Sequence, residues 1–112
     1  MTTPEGLAEL KKWIVRPITR DDMVRGPQEV MLRFAFSEMV IGPEAAITLL
    51  RALEVELQAY VAALQEELKA FPALMPTSGR LAFECGVRGN ESLLAWTRHA
   101  LTTYEKKKGD TL

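Results

Sequence analysis

The segment from Pro43 to about Phe71 most constrains the fold, because it has the pattern of one helix far longer than the average of about 11–12 residues. Its large apolar residues follow alternating steps of three and four, which define a heptad seam. The seam consists of Ile47, Leu50, Leu57, Val61, Leu64, Leu68 and Phe71. Glu54 interrupts it, and a charge there either fixes the register of two helices or marks where the seam opens to water.

A second apolar strip, on Leu49, Leu53 and Tyr60, runs beside the seam. Two strips on one helix predict two partner surfaces, and a single neighbouring helix can cover only one of them. A monomer would expose more apolar surface than the few hundred Å² that monomers usually tolerate, so we expect a homodimer with a two-fold interface. The residues predicted for this interface are Ile47, Leu50, Leu57, Val61, Leu64, Leu68, Leu94 and Leu101.

The rest of the sequence predicts three more helices. Apolar residues at helical spacing, bounded by capping residues, prolines and glycines, place them at residues 4–14, 28–40 and 80–107. Thr3 is expected to cap the first helix, and Gly109 is expected to end the last one. No strand-type alternation persists, so the expected fold is all-α. It has four helices, of which the two long ones are antiparallel and form a coiled-coil-like dimer.

The connector at residues 15–27 contains Pro17, Gly26 and Pro27, together with three arginines and two aspartates. These breakers predict an exposed, partly extended loop. The adjacent Asp21 and Asp22 could form a catalytic carboxylate pair, but in such a loop we interpret them as part of a solvent-exposed turn. The helix that follows is apolar nearly all round, which predicts burial on several sides.

The composition excludes several classes of function. A net charge of −1 gives the chain no strong basic field, so we do not expect it to bind DNA by itself. No apolar run approaches the roughly 18 residues of a membrane span and no signal peptide is visible, so no membrane partner is expected. The single Cys85 excludes an internal disulfide and suits a reducing cytoplasm.

Catalytic and metal-binding patterns are not found in the sequence. It has no nucleophile–base arrangement, no glycine-rich phosphate loop and no metal-ligand spacing, and its one cysteine and one histidine do not suit a zinc site. We therefore predict no catalytic residues, no metal site and no cofactor, and an enzyme is the least favoured class. A binding or assembly function is expected instead.

The last predicted helix combines a bulky aromatic residue with small ones. Trp96 shares one helical strip with Gly89, Leu93 and Ala100. Because the small residues leave room beside the indole ring, this strip predicts a pocket for a planar aromatic effector at the dimer interface. The alternative is that Trp96 is a packing residue of the core or the interface, as aromatic residues at helical spacing usually are.

Three stretches together resemble the C-terminal half of PadR-family transcriptional regulators. "TPEGLAELKKWI" is similar to the segment that closes the family's winged helix, where Thr3 would end the wing strand, Gly6 would begin the linking helix, and Trp13 and Ile14 would end it. "MLRFAF" resembles the next helix of the family, which carries a basic residue before a phenylalanine pair. "LAFECGVRGNESLLAWTRHAL" is similar to the last long helix, although "TRHAL" departs from the more acidic residues usual after the tryptophan.

The resemblance covers essentially the whole chain and implies that residues 1–112 are the dimerisation and effector-sensing domain of a PadR-like regulator. In that role the domain sets the spacing of two winged-helix DNA-binding domains, which would pack against the first helix. The winged-helix domain is expected to be absent from this chain, so DNA is a partner only through it. The alternative is a free-standing helical protein that binds a small molecule, or acts as an adaptor, through its apolar groove.

Overall fold

The protein is all-α, as predicted. The computed structural model describes the backbone of residues 3–111 and the side chains of residues 3–109, and every regular element in this part of the chain is a helix. The helices are α1 (Pro4–Val15), α2 (Arg20–Arg25), α3 (Gln28–Val40), α4 (Pro43–Lys69) and α5 (Thr77–Thr111). The predicted count of four helices is wrong, because residues 3–111 contain five.

The additional helix, α2, lies in the connector for which the sequence predicts a loop. It is started by a capping box, in which the Thr19 hydroxyl accepts a hydrogen bond from the Asp22 amide at 3.3 Å and the Asp22 carboxylate accepts one from the Thr19 amide at 2.8 Å. Met23 is buried in the same apolar cluster as Leu49 and Leu53. The prediction of a loop is wrong for Arg20–Arg25, which this cap and this methionine fold into a helix, whereas most residues of the connector are exposed, as expected.

Helices α4 and α5 form an antiparallel hairpin, as predicted for the two long helices. Polar pairs along the hairpin establish its direction, because rising residue numbers in α4 meet falling numbers in α5. The pairs are Glu44 with Lys108 (3.1 Å), Glu54 with Arg98 (3.2 Å) and Gln65 with Glu91 (3.5 Å). Both roles predicted for Glu54 fit its position, since its carboxylate pairs with Arg98 of α5 and its side chain is 32% exposed.

The ends of the hairpin differ from the predicted boundaries. α4 ends at Lys69, close to its predicted end. α5 begins at Thr77 and continues through Gly109, so the predictions that it starts near residue 80 and that Gly109 ends it are wrong. Gly109 keeps a helical backbone, whereas Gly26 and Gly42 have positive φ angles of 110° and 141° and lie at helix boundaries.

Helices α1 and α3 form a second layer, in which α3 packs against α4 and α1 packs against α3. The buried residues of α3 are Val30, Arg33 and Ser37. In contrast, Phe36 and Met39 are exposed, Met39 by 76%. The prediction that this helix is buried on several sides is wrong for the single chain, because its other neighbours, including Trp96 of α5 at Phe34, leave Leu32, Phe36 and Met39 exposed.

The molecule is a thin slab. Its principal extents are 56 × 36 × 18 Å, and its Cα radius of gyration is 17.2 Å, compared with about 13 Å for a compact chain of this length. Since a helix with its side chains is about 10–12 Å across, the slab is at most two helices thick. A large share of its helical surface therefore faces outwards.

Candidate functional site

The residues predicted for the dimer interface lie mostly inside the single chain. Buried residues of this set are Ile47, Leu50, Leu57, Val61 and Leu94, while Leu64, Leu68 and Leu101 are half-buried. Leu50 and Leu57 have no exposed surface, so they can offer none to a second chain while this fold persists. The buried part of the α4 seam thus packs within the chain, and among the predicted residues Leu64, Leu68 and Leu101 keep surface for a second chain. Dimerisation itself stays a prediction.

The four residues predicted for an effector pocket are in different environments. Trp96 is 38% exposed, and its ring meets the Phe34 ring edge-on, with 5.8 Å between the centroids. Leu93 packs against the core and Ala100 is buried, whereas Gly89 is exposed, and an added Cβ there would have no neighbouring atom within 4 Å. In the single chain these residues provide one wall of a site, formed by the exposed indole.

An exposed strip at heptad spacing follows α5 on both sides of Trp96. We name it the α5 strip, and its residues are Ala82, Cys85, Gly89, Ser92, Trp96, His99 and Thr103. Except for Trp96 and His99, these side chains are small. Gly86, beside the strip, also has open space around it. The close neighbour that such glycines usually accommodate is not supplied by the described part of this chain.

A second open surface, which is apolar, lies between α1 and α3. We name it the α1–α3 groove, and its apolar lining consists of Pro4, Leu7, Leu10, Phe36, Met39 and Val40. The groove encloses about 620 Å³. Leu7 and Phe36 are each more than one-third exposed, so large side chains are presented to the outside where a partner surface would remove them from water.

Arg33 is a buried cation that the sequence analysis does not single out. Its side chain is 1% exposed, and Nε and Nη2 donate hydrogen bonds to the Ile14 carbonyl at 3.3 and 3.1 Å. Nη2 also donates to the Arg16 carbonyl. The last carbonyls of a helix have no partner within it, so Arg33 of α3 satisfies the end of α1. The only sequence signal is one charge within the apolar stretch "MLRFAF".

The charges around Arg33 are balanced without a direct ion pair to it among the described residues. The pKa of Arg33 is lowered from its ordinary value. Burial is the largest cause and the nearby charge of Arg16 adds to it, whereas the charges of Asp22 and Glu29 raise the pKa. Both carboxylates pair instead with Arg16, at 3.4 and 3.0 Å. Glu29 also accepts a hydrogen bond from the Trp13 indole at 3.1 Å. This network joins α1, α2 and α3.

A third opening, of about 610 Å³, lies where α3, α4 and the end of α5 meet. Its polar groups satisfy one another. Glu44 pairs with Lys108, and burial together with a hydrogen bond to Glu38 raises the pKa of Tyr104. These two contacts join polar groups of the lining to each other and hold the end of α5 against α3 and α4, so the opening needs no ligand to account for them.

The described residues offer surfaces for binding and no arrangement for metal chemistry. Within this part of the chain, no group of three or more His, Cys, Asp or Glu side chains could hold a metal ion. None of the helices described is both long and apolar enough to cross a membrane. What the arrangement presents is one open apolar groove, one exposed strip of mostly small side chains around Trp96, and one buried guanidinium.

Comparisons of the chain with protein-family models, with curated proteins and with solved structures return no match. The similarity to PadR regulators therefore rests on the sequence motifs, and the function has to be argued from the geometry of the chain.

Proposed function

We propose that this chain is the dimerisation and effector-sensing domain of a PadR-like transcriptional regulator of the cytoplasm. The α5 strip is the observation that carries the proposal. Helices that pack side by side along their length repeat their contact residues at heptad spacing, and in this strip small residues flank the single large apolar side chain of Trp96. In the single chain the strip lies open, on a slab that is only 18 Å thick. A second copy of the chain would cover it.

The glycines of α5 support contact with another backbone. A glycine inside a helix costs about 1 kcal/mol relative to alanine. Gly86 and Gly89 both lie within α5, and in each case the space around the missing side chain is empty. Their presence therefore brings no packing gain inside the chain. A close approach by a second helix would provide that gain, because glycine allows two backbones to come near each other.

The size pattern of the α5 strip suggests how two copies would meet. A two-fold axis near Ser92 places two α5 helices antiparallel and sets residue 89 of each chain opposite residue 96 of the other. The indole of Trp96 would then cover the open space at Gly89 of the second chain. The exposed part of the Trp96 side chain in one chain would become an interface contact, and a planar effector would bind beside it.

The α1–α3 groove suits the DNA-binding half of the regulator. The resemblance implies that a winged-helix domain packs against the first helix, and the groove presents Leu7, Phe36 and Met39 for such a contact. Two domains held by one dimer would read DNA half-sites about one helical turn apart. An effector that shifts the packing at Trp96 would change this separation, which is allostery through an interface with two arrangements.

Sedimentation velocity of three variants tests this interface. Gly89→Leu adds a large side chain to a position with no neighbour in the chain, so it should leave the helical circular dichroism intact and weaken association at least tenfold. Gly89→Leu combined with Trp96→Ala should recover part of the association, because the indole that collides with the new leucine is removed. The matched control, Ala62→Leu on the exposed face of α4, should associate like the parent chain.

The outcome of the double variant decides the pairing. If Gly89→Leu associates as tightly as the parent, or if removing the indole gives no recovery, the proposed contact between positions 89 and 96 is wrong.

A further inference from the structure

A cleft of about 480 Å³ lies between the end of α1, the first residues of the connector and the first half of α4. Eight of its twelve lining residues are apolar, including Ile14, Ile18 and Leu49. The side of α4 that faces it carries Ala45, Thr48 and Ala52, whose small side chains keep the cleft open. Its volume and its apolar lining are those of a site for a small molecule.

One lining residue carries a donor without an acceptor. Arg33 lines the cleft, and its Nη1 atom is shielded from solvent and has no hydrogen-bond partner among the described residues. Nε and Nη2 donate hydrogen bonds to the carbonyls of Ile14 and Arg16, so of the two terminal nitrogens of the guanidinium only Nη2 is hydrogen-bonded. A buried donor without a partner destabilises the fold, and it does so more strongly when it is charged.

From this pairing of an apolar cleft with a half-occupied buried guanidinium, we propose that the cleft binds a small molecule with a carboxylate at one end and an apolar body. A shift of the Arg33 side chain that opens Nη1 to the cleft would let the carboxylate accept a hydrogen bond from it, and charge-assisted bonds of this kind are about twice as strong as neutral ones. The apolar body would lie along Ile18 and Leu49. Arg33 would select the anion, and the small residues of α4 would admit the body.

The charges at the rim of the cleft are compatible with an anion inside it. Glu44 is the one carboxylate of the lining, and its side chain is 73% exposed and paired with Lys108. Arg16 also lines the cleft, and its charge is balanced by Asp22 and Glu29, so Arg33 is the cation available to an anion in the cleft. The carboxylates of Asp22 and Glu29 are bound to Arg16 and do not occupy Arg33. A bound carboxylate would therefore meet Arg33 with no direct competitor.

The site is linked to α1, because the side chain that would hold the carboxylate also holds the end of that helix. It is formed within one chain and does not include Trp96 or Gly89. Carboxylate binding at the cleft and dimerisation at the α5 strip can therefore succeed or fail independently.

Isothermal titration of the chain with octanoate and with 1-octanol tests the proposal. The two compounds share an apolar body, and only octanoate carries a carboxylate. Octanoate should bind saturably at about 1 mM or below, with one site per chain, and 1-octanol should bind at least tenfold more weakly. Equal binding of the two compounds would contradict a role for Arg33, and the absence of saturable octanoate binding would contradict the site.

Two leucine substitutions on α4 locate the binding. Ala52→Leu fills the cleft and leaves Arg33 in place, so it should lower octanoate affinity at least tenfold without loss of helical structure. Ala62→Leu puts the same side chain on the exposed face of α4 outside the cleft and should leave the affinity unchanged. Octanoate binding that is unaffected by Ala52→Leu would place it elsewhere and overturn the proposal.

Discussion

The α4–α5 hairpin buries mostly apolar side chains, whereas the layer of α1 and α3 buries two apolar and two polar ones, which are Ile14, Val30, Arg33 and Ser37. In the hairpin, leucines such as Leu50 and Leu57 are completely buried, and charged residues lie at its edges. In the layer, the largest buried side chain is Arg33, while Phe36 and Met39 point outwards. Both regions come from one chain and both are helical, so the difference lies in what each one packs against.

This contrast indicates which parts of the chain are complete by themselves. The hairpin covers the seam of α4 with α5, so its apolar pattern is satisfied internally. In the α1–α3 layer, the buried guanidinium of Arg33 binds the carbonyls at the end of α1, and large apolar side chains such as Phe36 and Met39 are exposed. The outer side of the hairpin, along the α5 strip, is open in the same way. The apolar residues of the single chain thus divide into a sealed core and an exposed set, which includes Phe36, Met39 and Trp96.

The largest effect on this comparison is expected from a cavity in the buried core of the hairpin. Leu57→Ala removes a completely buried side chain and should lower the free energy of unfolding by about 2–5 kcal/mol, because transfer and cavity costs add. Val55→Ala, two positions away on the same helix and 70% exposed, should change it by less than about 0.5 kcal/mol. Urea unfolding followed by circular dichroism measures both. Similar losses for the two variants would mean that the hairpin core is not where the structure places it.

Removing the buried cation should affect the other layer locally. Arg33→Met keeps much of the side-chain volume but leaves the Ile14 and Arg16 carbonyls without their donor, at a cost of about 1–3 kcal/mol. Hydrogen exchange should quicken at the amides of α1, while the centre of α4 stays protected. Arg51→Met, at an exposed position of α4, is the matched control and should alter neither. Equal exchange across α1 in both variants would rule out a capping role for Arg33.

A smaller effect is expected from pH, at the joint between the two layers. Burial opposes ionisation of Asp22, but hydrogen bonds from Thr19 and the charges of Arg16 and Arg33 together hold its pKa below the ordinary value. A carboxyl with a lowered folded-state pKa stabilises the fold above its unfolded pKa of about 3.9 and loses that contribution as pH falls through the folded value. The stability gap between the parent chain and Asp22→Asn should therefore be widest near neutral pH and close below about pH 4. A gap that is constant from pH 7 to pH 3 would contradict this.

The hairpin was predictable from the sequence because its pattern is long. Steps of three and four repeat from Ile47 to Leu68, and only a helix with a long apolar neighbour suits such a run. The pattern does not state whether the neighbour belongs to the same chain. Leu50 and Leu57 were assigned to a contact between two chains, and the structure places them against the chain's own core. Apolar spacing predicts burial, whereas the partner depends on loop length and topology.

Short and polar features were harder to predict. α2 has only six residues, so periodicity gives no signal, and its capping box from Thr19 to Asp22 is hidden among arginines and breakers. Arg33 looks like one charge in an apolar helix, and only the three-dimensional arrangement brings it to the end of α1. The exposure of Phe36 and Met39 follows from the absence of any described residue on that side, which no local pattern contains.

The central proposal, that a second copy of the chain covers the α5 strip, is tested most directly by the mass of the chain in solution. Light scattering coupled to gel filtration should give about 25 kDa at micromolar concentration, twice the 12.5 kDa of one chain. A mass of 12.5 kDa with full helical circular dichroism would show that the chain is stable with its α5 strip uncovered, and it would contradict the account.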